Sequence, residues 1–192
     1  MAVSPARAVE LVDEIASSDR AVQGEAYEAL LAATTSVVSW AYDVWPTVVQ
    51  GLSAPDNRRR SICPQVLANL AAHSDPEDRI LDDLHRLASV MTDDRFVTAR
   101  HATQTFWKVG LGGDGPCAAA VAALARRFRT CAQEKNAALI RTDVIAALAQ
   151  LARARPDAGI DEVANALIDE EPDVKEQRKQ HAVWTKARGR TT

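Results

Sequence analysis

The chain has 192 residues, of which 47% are hydrophobic, 26% charged and 5% aromatic, with a net charge of −3. That is enough apolar material for one domain or a short repeat array, and it excludes a disordered or collagen-like chain. Alanine and leucine dominate while β-branched and aromatic residues are sparse, so the composition is that of a helix former.

The predicted elements are all helices, and they come in pairs: 5–17 with 19–33, 36–53 with 56–73, 76–91 with 94–109, 116–131 with 135–154, and 160–170 with 173–187. Ser4-Pro5 opens the first, a hydroxyl cap followed by a proline at a position where its missing N–H costs nothing. Asp19, Asp56, Asp94 and Asp173 stand where second helices begin, and a carboxylate there caps open N–H groups at the positive helix end. Pro46 and Pro64 fall inside helices. Gly110 is expected to end a helix in the left-handed conformation, with Pro116 starting the next. The run Arg155-Pro156-Asp157-Ala158-Gly159 closes another helix. Helical content near three-quarters and no strands are expected.

Two ladders run through these pairs. In the second helices a polar residue is followed by small or apolar residues three, six and seven positions later. The copies are Gln23/Ala26/Ala29/Leu30, Arg60/Cys63/Val66/Leu67, Arg100/Thr103/Phe106/Trp107, Arg141/Val144/Ala147/Leu148 and, more weakly, Arg178/His181/Trp184/Thr185. Their leading residues are 37, 40, 41 and 37 apart. In the first helices Ile15, Leu52, Met91, Phe128 and Ile168 recur at 37, 39, 37 and 40. Two ladders in step indicate about five copies of a two-helix unit, longer than the repeats of about 33–34 residues.

The segment Val44-Trp45-Pro46-Thr47-Val48, Gly51-Leu52, Pro55-Asp56, Arg60, Cys63, Leu67 resembles the HEAT-repeat consensus, and Asp94-Arg95-Phe96-Val97 with Arg100 and Phe106 is similar to a second copy. Gln23 departs from that consensus, as do Glu134 and Asn136 near the fourth aspartate position. The resemblance implies an all-α, right-handed solenoid of antiparallel helix pairs, armadillo-like, with second helices on its concave face and a polar cap at each end. The expected domain is 1–186, in repeats of about 4–34, 35–74, 75–113, 114–156 and 157–186, followed by a flexible basic tail at 187–192.

Cys63, Cys117 and Cys131 include no C-x-x-C pair. On one helix Cys117 and Cys131 would lie about 21 Å apart, too far to bridge. No basic segment followed by an apolar run opens the chain and no apolar stretch is long enough to span a bilayer, so a cytoplasmic protein is expected. The bases Lys175, Arg178, Lys179, Lys186, Arg188 and Arg190 face only Glu176 in the last stretch, leaving the rest of the chain acidic. An acidic body argues against wholesale nucleic-acid binding.

The leading arginines Arg60, Arg100, Arg141 and Arg178 are read as bridges to the neighbouring repeat, with phosphate or carboxylate hooks as the alternative. The candidate partner-binding stripe is Thr98, His101, Thr105 and Lys108 in the third repeat. Its counterparts are Arg58, Ser61 and Gln65 in the second and Thr142, with Gln150, in the fourth; the spacing puts them off the apolar face. Asp78, Asp82 and His85 have a spacing that presents ligands on one helix face, but no second ligand-bearing helix accompanies them. Gly110-Leu111-Gly112-Gly113-Asp114-Gly115 lacks both the preceding strand and the Lys-Ser/Thr of a phosphate loop. The four tryptophans, Trp40, Trp45, Trp107 and Trp184, are read as packing anchors. No catalytic residue, metal site or cofactor is expected. The expected function is that of a non-catalytic scaffold or regulator holding another protein or peptide, one with acidic groups, on the concave face. The alternative is a nucleic-acid-binding or DNA-repair, glycosylase-like HEAT protein using Arg58, Arg59, Arg60, Arg126, Arg127, Arg129 and the basic tail. For that alternative, Trp107 with Asp143 and Arg141 is the nearest analogue of a base-holding site.

Overall fold

The computed structural model describes residues 3–156 and 158–188. Among them are ten α-helices: α1 Pro5–Glu14, α2 Arg20–Ala33, α3 Ala41–Gly51, α4 Asn57–His73, α5 Ile80–Val90, α6 Phe96–Thr105, α7 Asp114–Thr130, α8 Ala137–Ala154, α9 Ile160–Asp169 and α10 Val174–Arg188. Helix covers 77% of the described residues and no strand occurs among them. Two 3-10 segments, Phe106–Leu111 after α6 and Cys131–Gln133 after α7, tighten helix ends that the sequence pattern extends as α-helix. The final α-helix reaches Arg188, so Ala187 and Arg188, expected in the tail, are helical; residues 189–192 and Asp157 lie outside the described residues.

Helix starts follow the cap chemistry with instructive exceptions. Ser4 Oγ accepts the Arg7 N–H, Asp19 those of Ala21 and Val22, Asp56 those of Arg58 and Arg59, and Asp173 those of Lys175 and Glu176. At α6 the carboxylate that accepts is Asp93, taking the Arg95 N–H at 2.8 Å, rather than Asp94. α5 begins at Ile80 instead of 76 because the Asp75 carboxylate takes the N–H groups of Arg79 and Ile80, each at 2.9 Å, and so fixes the loop before it. Gly110 is not a left-handed stop. It lies buried in the 3-10 segment, and a Cβ there would meet Leu151 at 2.7 Å, so glycine serves close packing against α8. The left-handed glycine is Gly159, with φ 64°, at the start of α9.

The helices form two rows. The second helices α2, α4, α6, α8 and α10 pack in succession, as do the first helices α1, α3, α5, α7 and α9, and each pair closes on itself as a hairpin. The core runs between the rows. All five first-helix ladder residues, Ile15, Leu52, Met91, Phe128 and Ile168, are buried in it, facing Ala26, Leu30, Cys63, Leu67, Phe106, Val144 and Leu148. Stacked hairpins of this kind are an all-α repeat solenoid, in which each unit buries its apolar side only against its neighbours.

Leu148 is fully buried in α8, between the third and fifth hairpins. Leu148→Asp places an unpaired charge there and is expected to cost about 4 kcal/mol. Urea unfolding measures the loss. Hydrogen exchange should show protection falling in α6 and α10 as well as in α8, because neighbouring repeats are coupled.

Candidate functional site

The leading residue of each of the first four second helices reaches forward to the next hairpin. Gln23 Nε2 donates to the Ile15 carbonyl at 2.8 Å and to Asp56 at 3.0 Å. Arg60 grips Asp93 at 2.6 and 3.2 Å, Arg100 grips Asp143 at 2.7 and 3.0 Å, and Arg141 reaches Glu171 at 3.1 Å. The arginines are therefore inter-repeat bridges and not hooks open to a ligand. The fourth hairpin has no carboxylate capping α8, and its acceptor, Asp143, comes instead from inside that helix. In the fifth hairpin the rung is Gln177, not Arg178: Gln177 Nε2 donates to the Ile168 carbonyl as Gln23 does to Ile15, while Arg178 is exposed. Counting from Asp173, four residues lead to Gln177, the same interval as Asp19 to Gln23 and Asp56 to Arg60.

These pairs leave a mark on protonation. The hydrogen bond from Arg60 holds the Asp93 carboxyl below the usual carboxylate range, against the opposing effect of burial, and Arg129 does the same for Glu170. Burial pushes the Cys63 thiol up to about 12 and raises Cys131 as well, so neither is a thiolate at neutral pH. All three cysteines are unpaired.

The stripe expected to be free for a partner is largely committed to stacking. Ser61 Oγ is 2.6 Å from His101 Nδ1 on the next hairpin. Gln65 accepts from the Tyr27 hydroxyl at 2.9 Å and donates to the Ser61 carbonyl. Thr98 is buried with its hydroxyl toward the Asn57 carbonyl, and Thr105 is buried too. Lys108 Nζ donates to Asn69 Oδ1 at 2.6 Å, and Asn69 in turn donates to Thr34, a polar chain across three hairpins. Thr142 Oγ1 bonds back to the Ala138 carbonyl of its own helix. The structure thus brings Ser61 and His101 together, sets Lys108 beside the buried Asn69, and leaves His101 and Gln150 exposed and Arg58, Gln65, Lys108 and Thr142 half-buried. Tyr27, Thr34, Asn69 and Gln104 complete this polar row, Gln104 donating to Asp143 at 3.0 Å. Their signal was the repeat interval itself, since Thr34, Asn69 and Lys108 stand 35 and 39 residues apart.

Charge on this row is uneven. Among the described residues the Arg58 side chain donates only to the Arg20 carbonyl and Lys108 only to Asn69, whose amide is neutral. Burial lowers the Lys108 pKa. The same row carries two exposed apolar side chains near helix starts, Val97 at 63% and Leu139 at 40% exposure, on α6 and α8.

The other candidates do not assemble. Arg58, Arg59 and Arg60 belong to the second-helix row and Arg126, Arg127 and Arg129 to the first, and Arg127 and Arg129 are held by Glu134 and Glu170. Asp143 and Arg141 are bound to Arg100 and Glu171, and Trp107 packs against the core, so no base-holding pocket forms from the three. Among the described residues no group of three His, Cys, Asp or Glu side chains is placed to hold a metal, Asp78, Asp82 and His85 included. The glycine-rich loop folds against α4, where a Cβ on Gly112 would meet the Ala71 carbonyl at 2.6 Å. No helix among the described residues is long and apolar enough to cross a membrane. A cavity of 900 Å³ lies between α7 and α9, lined by Ala118, Val121, Ala122 and Val163.

No family model matches the sequence, and no curated protein matches it. Among solved structures the chain is similar to an engineered protein at 18% identity, with 95% of this chain and 79% of the other covered and a TM-score of 0.59. It is similar to a designed armadillo repeat protein at 14% identity, covering 96% and 83% with a TM-score of 0.52. Another designed armadillo repeat protein, in complex with the peptide (KR)4, matches at 14% identity over 96% and 82% with a TM-score of 0.54. At these identities the likeness is one of fold: an armadillo-like helical repeat.

Asp93 is the acceptor whose loss should be felt most clearly. Asp93→Asn is expected to cost about 2 kcal/mol at neutral pH, the size of a charge-assisted hydrogen bond. Because the folded Asp93 titrates below its unfolded value, its contribution is full above the ordinary carboxylate range and disappears as pH falls through the lowered value. The difference in urea midpoint between wild type and variant should therefore shrink toward strongly acid pH.

Proposed function

We propose that the chain is a non-catalytic scaffold that holds an extended acidic peptide, as part of a partner protein, along its second-helix row. The observation that carries this reading is the partition of positive charge. The bridging arginines, with Arg127 and Arg129, are neutralised by carboxylates, whereas Arg58 and Lys108 meet only neutral groups and the exposed His101 imidazole bonds the Ser61 hydroxyl. A half-buried ammonium such as Lys108 gains more from an incoming carboxylate than a fully hydrated one does, because water screens it less. Val97 and Leu139 offer exposed apolar contact on the same row, and Thr142 a hydroxyl. The designed armadillo repeat neighbour in complex with the peptide (KR)4 supports a peptide ligand for this kind of fold, and the charge proposed for the ligand here is the opposite.

Two-helix units at intervals of 37 to 41 residues favour a HEAT-like repeat over a three-helix armadillo unit. Unpaired cysteines fit a cytoplasmic setting. The nucleic-acid alternative is weakened because its arginine clusters lie on different rows and are partly neutralised.

Fluorescence polarisation with a labelled glutamate-rich peptide and a matched lysine-rich one tests the proposal. The acidic peptide should bind, and His101→Glu with Lys108→Glu should weaken it at least about tenfold, a loss of about 1.4 kcal/mol. Equal binding of the two peptides, or binding untouched by the double substitution, overturns it; tight, steeply salt-dependent binding of duplex DNA favours the alternative.

A further inference from the structure

Inside the stack, second helices accept hydrogen bonds from the one before at several positions, and three of them, each seen at one junction, bear on the ends of the array. Asp56 stands four residues before its rung and takes Gln23; Asp143 stands two residues after its rung and takes Arg100; Gln65 stands five after and takes Tyr27. At the first hairpin among the described residues, the same positions relative to Gln23 are Asp19, Glu25 and Glu28. All three are exposed carboxylates. Asp19 accepts only the N–H groups of its own helix, and neither Glu25 nor Glu28 has a side-chain partner among the described residues.

At the last hairpin the donor side is unfilled. Gln177 repeats the bond of Gln23 to the first-helix carbonyl but lacks the onward bond that Gln23 makes to Asp56. His181 occupies the position of Tyr27, four residues beyond the rung. Lys175, Arg178 and His181 are exposed, without side-chain partners among the described residues, beside a 570 Å³ cavity lined by His181, Ala182, Thr185 and Lys186. The two ends are opposite in charge. Across α1 and α2, Glu10, Asp13, Glu14, Asp19, Glu25 and Glu28 outnumber Arg7 and Arg20, whereas α10 sets Lys175, Arg178, Lys179, Lys186 and Arg188 against Glu176.

We infer that two copies of this chain stack end to end, α10 of one on α1–α2 of the next, with Gln177 donating to Asp19 and Lys175, Arg178 and His181 facing Glu25 and Glu28. A polar end that only kept the array in solution would require charge there, but not acceptors at one end and donors at the other in positions that individual interior junctions use. The contact joins unlike surfaces, so assembly is head-to-tail, a filament or, where the rotation per copy closes, a ring, and it grows with concentration. It stands apart from the peptide-binding proposal, and either can fail alone.

Sedimentation velocity on the full chain, from micromolar to submillimolar concentration at low salt, reads the association. The weight-average sedimentation coefficient should rise with concentration and fall back on adding salt. Glu25→Lys with Glu28→Lys at one end, or Lys175→Glu with Arg178→Glu at the other, should each weaken association at least about tenfold. Mixing the two double variants should restore it, because each supplies the end the other lacks. A wild-type chain that stays monomeric throughout overturns the inference. So does association that persists unchanged in both variants while their circular dichroism remains that of the wild type.

Discussion

A helical hairpin of this chain cannot hide its apolar side alone, and everything else in the structure depends on how one hairpin is held against the next. Two devices do this. Buried ladder residues such as Ile15, Leu52 and Phe128 supply the non-directional part, which favours any close packing. The polar rungs, from Gln23–Asp56 to Arg141–Glu171, supply the directional part. Apolar surfaces rich in alanine slide over one another at little cost, whereas a carboxylate beside an arginine fork accepts only one register. The rungs therefore specify the stack more than they stabilise it: ion pairs this close to solvent contribute modestly, and a mismatched one buries an unpaired charge.

Much of this was legible in the residues because the helices announce themselves locally. Asp19, Asp56 and Asp173 cap helices with bonds made within three residues, so no tertiary knowledge is needed to place them. The rungs were legible as a repeat of residue types. Errors arose where one residue's role depends on distant chain. Gly110 reads locally as a helix stop, yet its small size is required by Leu151, 41 residues on. Arg178 reads as the fifth rung because arginine precedes it at regular intervals, but a glutamine one position earlier makes the bond, as another glutamine does in the first hairpin.

The polar stripe was the hardest to read. Ser61, Gln65, Thr98 and Lys108 alternate with apolar residues in the way that solvent-facing residues do. In a single helical bundle that inference serves, because a helix has one buried side. In a stack a second helix is flanked on both sides by others, so only a narrow strip faces water and small polar residues are drawn into the seams. Periodicity identifies the residues off the core but does not separate seam from strip. Aligning residues at the repeat interval does: Ser61 with His101, and Thr34 with Asn69 and Lys108, fall into register only when copies are compared with one another.

What remains for recognition is then decided by electrostatic subtraction rather than by counting charges. The chain is acidic overall, and most of its arginines are held by carboxylates of the same chain. A bound arginine presents little net charge to a ligand, since its field is cancelled within a few ångströms. Cations resting on neutral groups keep theirs. Arg58, on the Arg20 carbonyl, and Lys108, on an amide, are therefore among the positive points that the second-helix row keeps, although neither belongs to the arginine ladder that dominates the sequence pattern. The regularity that builds the fold thus consumes the most visible charges, and on the proposed reading specificity falls to residues that break the pattern. The same reasoning explains why neighbours at 14% to 18% identity inform only on architecture. Stacked hairpins are maintained by a few residue classes at fixed intervals, while the strip between seams varies without disturbing them.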